Sequence, residues 1–336
     1  MKNLYLPDGY SSALTQLETQ KATAVTRDLF QQKLGQALNL TRITCPLFVA
    51  KGSGINDDLN GVERKVEFTM LNVEGTAEIV QSLAKWKRMA LHRYHYPAGT
   101  GIYTNMSAIR RDDDCDSLHS IYVDQWDWEK VITKEERTES YLKETVCKIV
   151  NALVDTKEEL NRQYPQLKTT LQREVSFVTT QELEDQYPEL TSKEREKAFV
   201  KEHKTAFIMQ IGGKLKSGQK HDGRAPDYDD WSLNGDIFFW NETLGCAEEV
   251  SSMGIRVDAD SLKKQLAEAG TEDRLVYPFH QGIADGTIPL TIGGGIGQSR
   301  VCLLLLEKAH IGEVQVSLWP DEMVELCREN NIFLLQ

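Results

Sequence analysis

The sequence predicts an α/β domain of the mixed α+β kind, a mostly antiparallel sheet flanked by helices. Three stretches support this. Gly101–Glu129 reads as two strands joined by an acidic loop, with side chains alternating at the period of two. Asp236–Trp240, DIFFW, begins another apolar strand. Gly293–Arg300, GGGIGQSR, lies between a short apolar run and the helix-like VCLLLLEK. The chain has 336 residues, enough for one large domain or two small ones. No repeat or low-complexity tract divides it, so 1–336 reads as a single domain.

Apolar residues make up 40% and charged residues 27%, ordinary values for a globular chain. The net charge of −12 argues against a nucleic-acid surface, since that affinity rests on Lys and Arg displacing counterions. The same balance does nothing to repel ammonium. MKNLYLPDGYSS has no apolar signal core, and Val301–Leu306, the longest apolar run, is far too short to span a bilayer. Six cysteines without a CxxC pair suit free thiols in a reducing compartment, hence a cytoplasmic location with no membrane partner.

Along the chain, Ser11–Leu40 reads as one long helix capped by Ser11, with Leu14, Leu17, Val25, Leu29, Leu34 and Leu38 on one side. Pro46 in ITCPLFV marks a strand edge or end. Lys51–Gly61 is a mobile loop by its three glycines. Val66, Phe68 and Met70 alternate as a half-buried strand. Thr76–Tyr94 reads as a helix with Ile79, Val80, Leu83, Trp86, Ala90 and Leu91 inward. Lys87 points to that same side, either snorkelling to solvent or reaching a ligand carboxylate.

In the hairpin, Ile102, Thr104, Met106, Ala108 and Arg110 share one face, while Gln125, Asp127 and Glu129 share another opposite Trp126 and Trp128. A half-solvated hairpin fits this period; so does the floor of a site. Lys130–Lys204 is charged and helix-prone, a helical insertion covering the sheet, with solvated faces at KEERTESYLKE and SKEREK. Gly212-Gly213-Lys214 fails the Walker pattern, since Ile208 and Leu215 stand where Gly and Ser/Thr belong. Neither His221 nor the His92/His95 pair has the further partners zinc needs. The aspartates of APDYDDW are exposed, or meet a substrate ammonium or an arginine such as Arg224.

TIGGGIGQSR and the Arg110–Glu129 return resemble motifs 3 and 2 of class II aminoacyl-tRNA synthetases. With HSIYVDQWDWE, GGKLKSGQKHDGRAPDYDDW and SSMGIRVDAD, the chain resembles, over almost its whole length, the ammonia-dependent asparagine synthetases (aspartate–ammonia ligases) of that superfamily. The resemblance implies a class II synthetase-like catalytic core. It also implies a homodimer built on the first helix and Pro46, and amidation of L-aspartate by ammonia with ATP and Mg²⁺ through β-aspartyl-AMP. Asp57, beside Asp58 in the glycine loop, takes a catalytic aspartate's place, with Arg110 and Gln125 also catalytic. QSLAKWK resembles the QSPQxxK segment of aspartyl-tRNA synthetases, so Ser82 and Lys87 bind substrate; Ala84 replaces the second Gln. Asp127, Asp229 and Arg256 join them, Asp229 at the amino group, Arg256 and Lys87 at the α-carboxylate. Arg110 matches the arginine at the α-phosphate, where a planar, permanently charged fork follows the phosphate into the transition state. Asp112 replaces the usual Glu of motif 2, and Val123 stands where an aromatic supports adenine. Asp236 and Glu249 match the Mg·ATP acids, Gly294 and Arg300 the motif 3 ATP site. Two other readings stay open: an aspartyl- or asparaginyl-tRNA synthetase-like enzyme, and a non-catalytic paralogue that senses aspartate.

Overall fold

The computed structural model describes residues 4–57, 59 and 63–335; Asp58 lies outside them. In chain order the elements are α1 (Gln16–Leu38), β1 (Leu40–Arg42), β2 (Phe48–Ala50), β3 (Glu67–Thr69), β4 (Thr76–Ile79) and α2 (Ala84–Arg93). The hairpin β5 (Gly101–Ile109) and β6 (Tyr122–Val131) follows, then α3 (Glu139–Gln163), β7 (Ser176–Thr179), α4 (Thr180–Gln186) and α5 (Ser192–His203). Next come β8 (Thr205–Met209), β9 (Asp229–Asn241), β10 (Cys246–Arg256), α6 (Ala259–Ala269) and α7 (Pro278–Ala284). The chain ends with β11 (Thr291–Gly297), α8 (Gln298–Leu305) and α9 (Asp321–Glu329).

Eight strands form one sheet in the order β1-β5-β6-β11-β10-β9-β8-β7. The inner pairings are antiparallel, and the outermost pairs, β1 with β5 and β7 with β8, are parallel. The expected mostly antiparallel sheet flanked by helices is what forms. Trp126 and Trp128 enter the main core and are fully buried, and Phe30 of α1 meets Trp126 edge-on at 4.7 Å between centroids. Large aromatic faces of this kind dominate core burial. The polar face of β6 is thereby turned to the opposite side of the sheet. β2, β4 and β3 make a separate small sheet, with β4 in its centre.

Four boundaries differ from those read in the sequence. α1 begins at Gln16, because Thr15 and Glu18 close a reciprocal capping box that Ser11 lacks. Its buried stripe is Ala22, Thr26, Phe30, Leu34 and Leu38, leaving Leu17 66% exposed. The supposed helix Thr76–Tyr94 is strand up to Ile79, since pairing with both β2 and β3 overrides a pattern that fits either period. The segment from Lys130 to Lys204 is not purely helical: it supplies β7 as the sheet's edge strand. Within that segment, α3 buries Leu142, Val146, Ile149 and Leu153 in the main core. Finally, β9 starts at Asp229 rather than Asp236.

Candidate active site

The face of the sheet opposite the tryptophans floors a cavity of about 550 Å³. Asp57, Ser82, Lys87, Arg110, Gln125, Asp127, Asp229, Glu249, Arg256, Gly294 and Arg300 all line it. Asp236 reaches it through Arg224, whose guanidinium contacts the Asp236 carboxylate. Residues scattered from position 57 to 300 thus converge on one cleft. Glu249 and Arg256 are seven apart, which strict alternation would send to opposite faces. Register shifts in β10 between Glu249 and Ser251, and between Gly254 and Arg256, break that alternation.

At one end the cations are buried and paired. Arg256 donates from Nε to Glu129 Oε1 at 3.0 Å and from Nη2 to Glu129 Oε2 at 2.8 Å, while Nη1 contacts Asp229, its cross-strand partner. Thr291 Oγ donates to Glu129 at 2.6 Å. Burial pushes the Glu129 carboxyl up, but Arg256 outweighs it and holds the group below the usual range. Gly293 lies across from Glu129, and any Cβ there would sit inside contact distance of that carboxylate. Lys87 does not snorkel: it is 1% exposed, contacts Asp127 and donates to the Gly294 carbonyl at 2.9 Å. The Tyr228 ring stands 5.8 Å from the Arg256 guanidinium carbon. Arg256, Lys87, Asp229 and Asp127 line this end of the cleft, with Glu129 buried behind Arg256, a set of charges suited to a group carrying both carboxylate and ammonium.

The other end is more open. Arg110 donates weakly to the Gln81 carbonyl, at 3.3 Å from Nη2. Arg300 donates to the Glu249 carbonyl at 2.9 Å, from the first turn of α8. Burial pushes Asp236 up to about 7, with Glu249 adding repulsion against the pull of Arg224. Burial also pushes Glu249 up, but Arg300, Arg224 and Lys193 hold it below the usual range. Asp57 is buried and lines the cleft; Oδ1 accepts the Leu59 N–H at 2.9 Å, while Oδ2 has no partner among the described residues.

Several expectations need correction. Asp112 does not face the cleft, because Arg64 holds both its oxygens; Asp113 and Asp114 line the wall instead. Arg224 pairs with Asp236, not with an aspartate of APDYDDW. Among those aspartates Asp227 is locked by Lys85, Arg274 and His280, and Asp230 by Arg137, so Asp229 is the one that lines the cleft. Val123 does line it. The segment read as a helical insertion with solvated faces contributes Lys193, which meets Asp222 at 3.2 Å on the cleft wall. Nothing in SKEREK distinguishes that lysine from its solvated neighbours. Glu129, by contrast, was legible through its alternation with Gln125 and Asp127.

The family model described as aspartate-ammonia ligase matches residues 17–331. This chain belongs to the aspartate–ammonia ligase family. The ligase is 56% identical to the aspartate–ammonia ligase of Clostridium perfringens over 336 residues, covering 100% of both chains. It is 57% identical to that of Bacillus cytotoxicus over 325 residues, 97% of this chain and 99% of the relative. Among solved structures, the Pyrococcus horikoshii asparaginyl-tRNA synthetase complexed with asparaginyl-adenylate matches with a TM-score of 0.64 at 13% identity, over 90% of this chain and 70% of that one. The Entamoeba histolytica asparaginyl-tRNA synthetase matches with a TM-score of 0.61 at 15% identity, over 89% of the ligase and 66% of that chain. The ligase thus spans about two thirds of those synthetases, and the likeness places its fold in the class II synthetase group. No helix among the described residues is long and apolar enough to cross a membrane.

Proposed function

We propose that the cleft divides the family's reaction between its two ends. The ligase converts L-aspartate to L-asparagine with ATP, through β-aspartyl-AMP. A carboxylate has no leaving group that ammonia can expel, so adenylation must come first. The observation that supports the assignment is the pairing of Arg256 with Glu129 and Asp229, beside Lys87 with Asp127, at one end of the cavity. Arg256 and Lys87 hold the substrate α-carboxylate, and Asp229 with Asp127 attracts the amino group. Ser82 and Gln125 border the same space, and the β-carboxylate faces the nucleotide end. Arg110 steadies the α-phosphate there, while Arg300 and the backbone at Gly294 receive the rest of the nucleotide.

Asp236 and Glu249 fit a magnesium ion shared with phosphates. Among the described residues no three His, Cys, Asp or Glu side chains converge as a metal cage. Two carboxylates plus substrate phosphates is a usual way for Mg²⁺ to be held. Burial does most to raise Asp236 and Glu249 adds repulsion, which a cation between the two acids would relieve. When bound, the ion supplies charge neutralisation on the phosphates.

Asp57 serves the second half-reaction. It lines the cleft from a glycine loop with Oδ2 unpartnered among the described residues, so its carboxylate can attract ammonium, orient it and accept its proton. Asp57→Asn keeps size and the turn but loses the charge. Aspartate-dependent pyrophosphate–ATP exchange should persist while asparagine formation collapses. Parallel loss of both would move Asp57 to activation or folding; no change in either would leave it a turn residue. The ligase works as a homodimer in this reading, through α1 and the exposed Leu47 and Phe48 beyond Pro46.

A further inference from the structure

Arg224 belongs to the loop between β8 and β9 and lines the nucleotide end of the cleft. Its Nη2 contacts Asp236 Oδ1, and Nη1 donates only to the neighbouring Gly223 carbonyl at 3.3 Å. Its Nε–H is buried and has no partner among the described residues. The fork is half used. Arg256 shows the contrast, since all three of its guanidinium nitrogens rest on carboxylates. Arg256 is a fixed clamp from a β-strand; Arg224 is a cation on a loop, engaged with one of the two acids assigned to magnesium.

We infer that Arg224 is the internal counter-cation of the Asp236–Glu249 pair, yielding that pair to Mg·ATP and turning its free donors to a nucleotide phosphate. The inference rests on the metal assignment made above. A metal ion at Asp236 would stand beside the guanidinium that already contacts Oδ1, so metal alone must work against that cation's repulsion or displace its ion pair. Metal arriving with phosphates gives the displaced guanidinium a planar partner of matching geometry. Metal and nucleotide therefore assist each other's binding, a reciprocal coupling whose usual range is 5–150-fold. The residue thus positions the nucleotide and offsets the charge of buried Asp236 and half-buried Glu249 between turnovers.

The probe is Mn²⁺, followed by its electron paramagnetic resonance signal in the purified full-length protein without nucleotide. Arg224→Met should bind Mn²⁺ about tenfold more tightly than the unmodified protein, and Arg224→Lys should remain weak. With Mn²⁺ present, ATP binding should weaken about tenfold in Arg224→Met, because the displaced guanidinium is no longer there to meet the phosphate. Equal Mn²⁺ affinity in the Met variant and the parent overturns the inference, as does undiminished ATP binding. Should Arg224→Met fail to fold, Arg224→Gln carries the same expectations. Asp236→Asn separates the two readings. If it abolishes Mn²⁺ binding while Arg224→Met changes nothing, the metal site stands and the exchange falls. If Mn²⁺ binding survives Asp236→Asn, the metal assignment itself falls.

Discussion

Glu248 shows what a single buried charge does when no cation meets it. It is fully buried, Oε2 accepts from Asn241 Nδ2 at 2.7 Å, and Oε1 has no partner among the described residues. Burial pushes its carboxyl up to about 7. The folded protein therefore binds this proton more tightly than the unfolded chain. Its stabilising contribution is complete below the unfolded pKa near 4.5 and is lost as pH rises through about 7. Glu248→Gln, an imitation of the protonated form, should be nearly neutral in thermal melts at pH 5 and stabilising by about 3 kcal/mol at pH 8. A variant destabilised at both pH values would contradict this. Arg256 is the opposite case. Arg256→Ala leaves Glu129 and Asp229 as unpaired buried carboxylates, so it should cost about 3–5 kcal/mol of stability. Aspartate-dependent turnover at subsaturating aspartate should also fall at least about tenfold. An unchanged melting temperature and unchanged apparent affinity for aspartate would place the substrate carboxylate elsewhere.

Among elements, the loop Lys51–Asp57 is held more firmly than its two glycines suggest. Asn56 Nδ2 donates to Glu78 and to the Ile79 carbonyl, each at 3.1 Å, while its Oδ1 accepts the Asp57 and Gln81 N–H groups. The loop's other support is Tyr277. Gly54 has φ +72°, and a Cβ there would enter the Tyr277 ring. Gly54→Ala combines left-handed strain with that collision, so the loop must leave its seat. Because the loop carries Asp57 and not the phosphate arginines, asparagine formation should fall by about tenfold or more while pyrophosphate exchange survives. Loss of exchange as well would show that the loop serves activation. On the opposite side, α1 is tied to the floor: Arg27 meets Asp124 at 2.8 Å, and Asp124 accepts the Ser299 N–H beside Arg300.

At the scale of the whole molecule, that tie gives the proposed dimer a route to the cleft. The inward stripe of α1 is consumed by the core, leaving Leu17 exposed and Val25 and Leu29 half-buried. A two-fold contact presents one patch from both subunits. Sedimentation velocity at micromolar concentration should show a dimer, and Leu17→Glu combined with Phe48→Glu should shift it toward monomer. A stable monomer of the unmodified chain would remove the proposal.

Some of this was settled by local sequence. The period of two over Gln125–Glu129 put the tryptophans opposite the polar triad, and they stand so because a pleated strand permits no other arrangement. At Gly293 and Gly294 of β11 the close neighbours are Glu129 and Met253, which leave no room for a Cβ. Arg110, Arg256 and Arg300 were found through motif resemblance, and the fold brings them to one cavity. Other features depended on partners distant in sequence. The strand at Thr76–Ile79 arises from pairing with β2 and β3, because short apolar runs satisfy either period. Asp112 turns away because Arg64, 48 residues earlier, holds it. The choice of Asp229 over Asp227 follows from Lys85, Arg274 and His280, none adjacent to it in the chain. The sequence by itself determined which groups carry charge and how each strand alternates. Tertiary structure decided which carboxylate meets which cation, because an ion pair is formed by folding distance rather than by spacing along the chain.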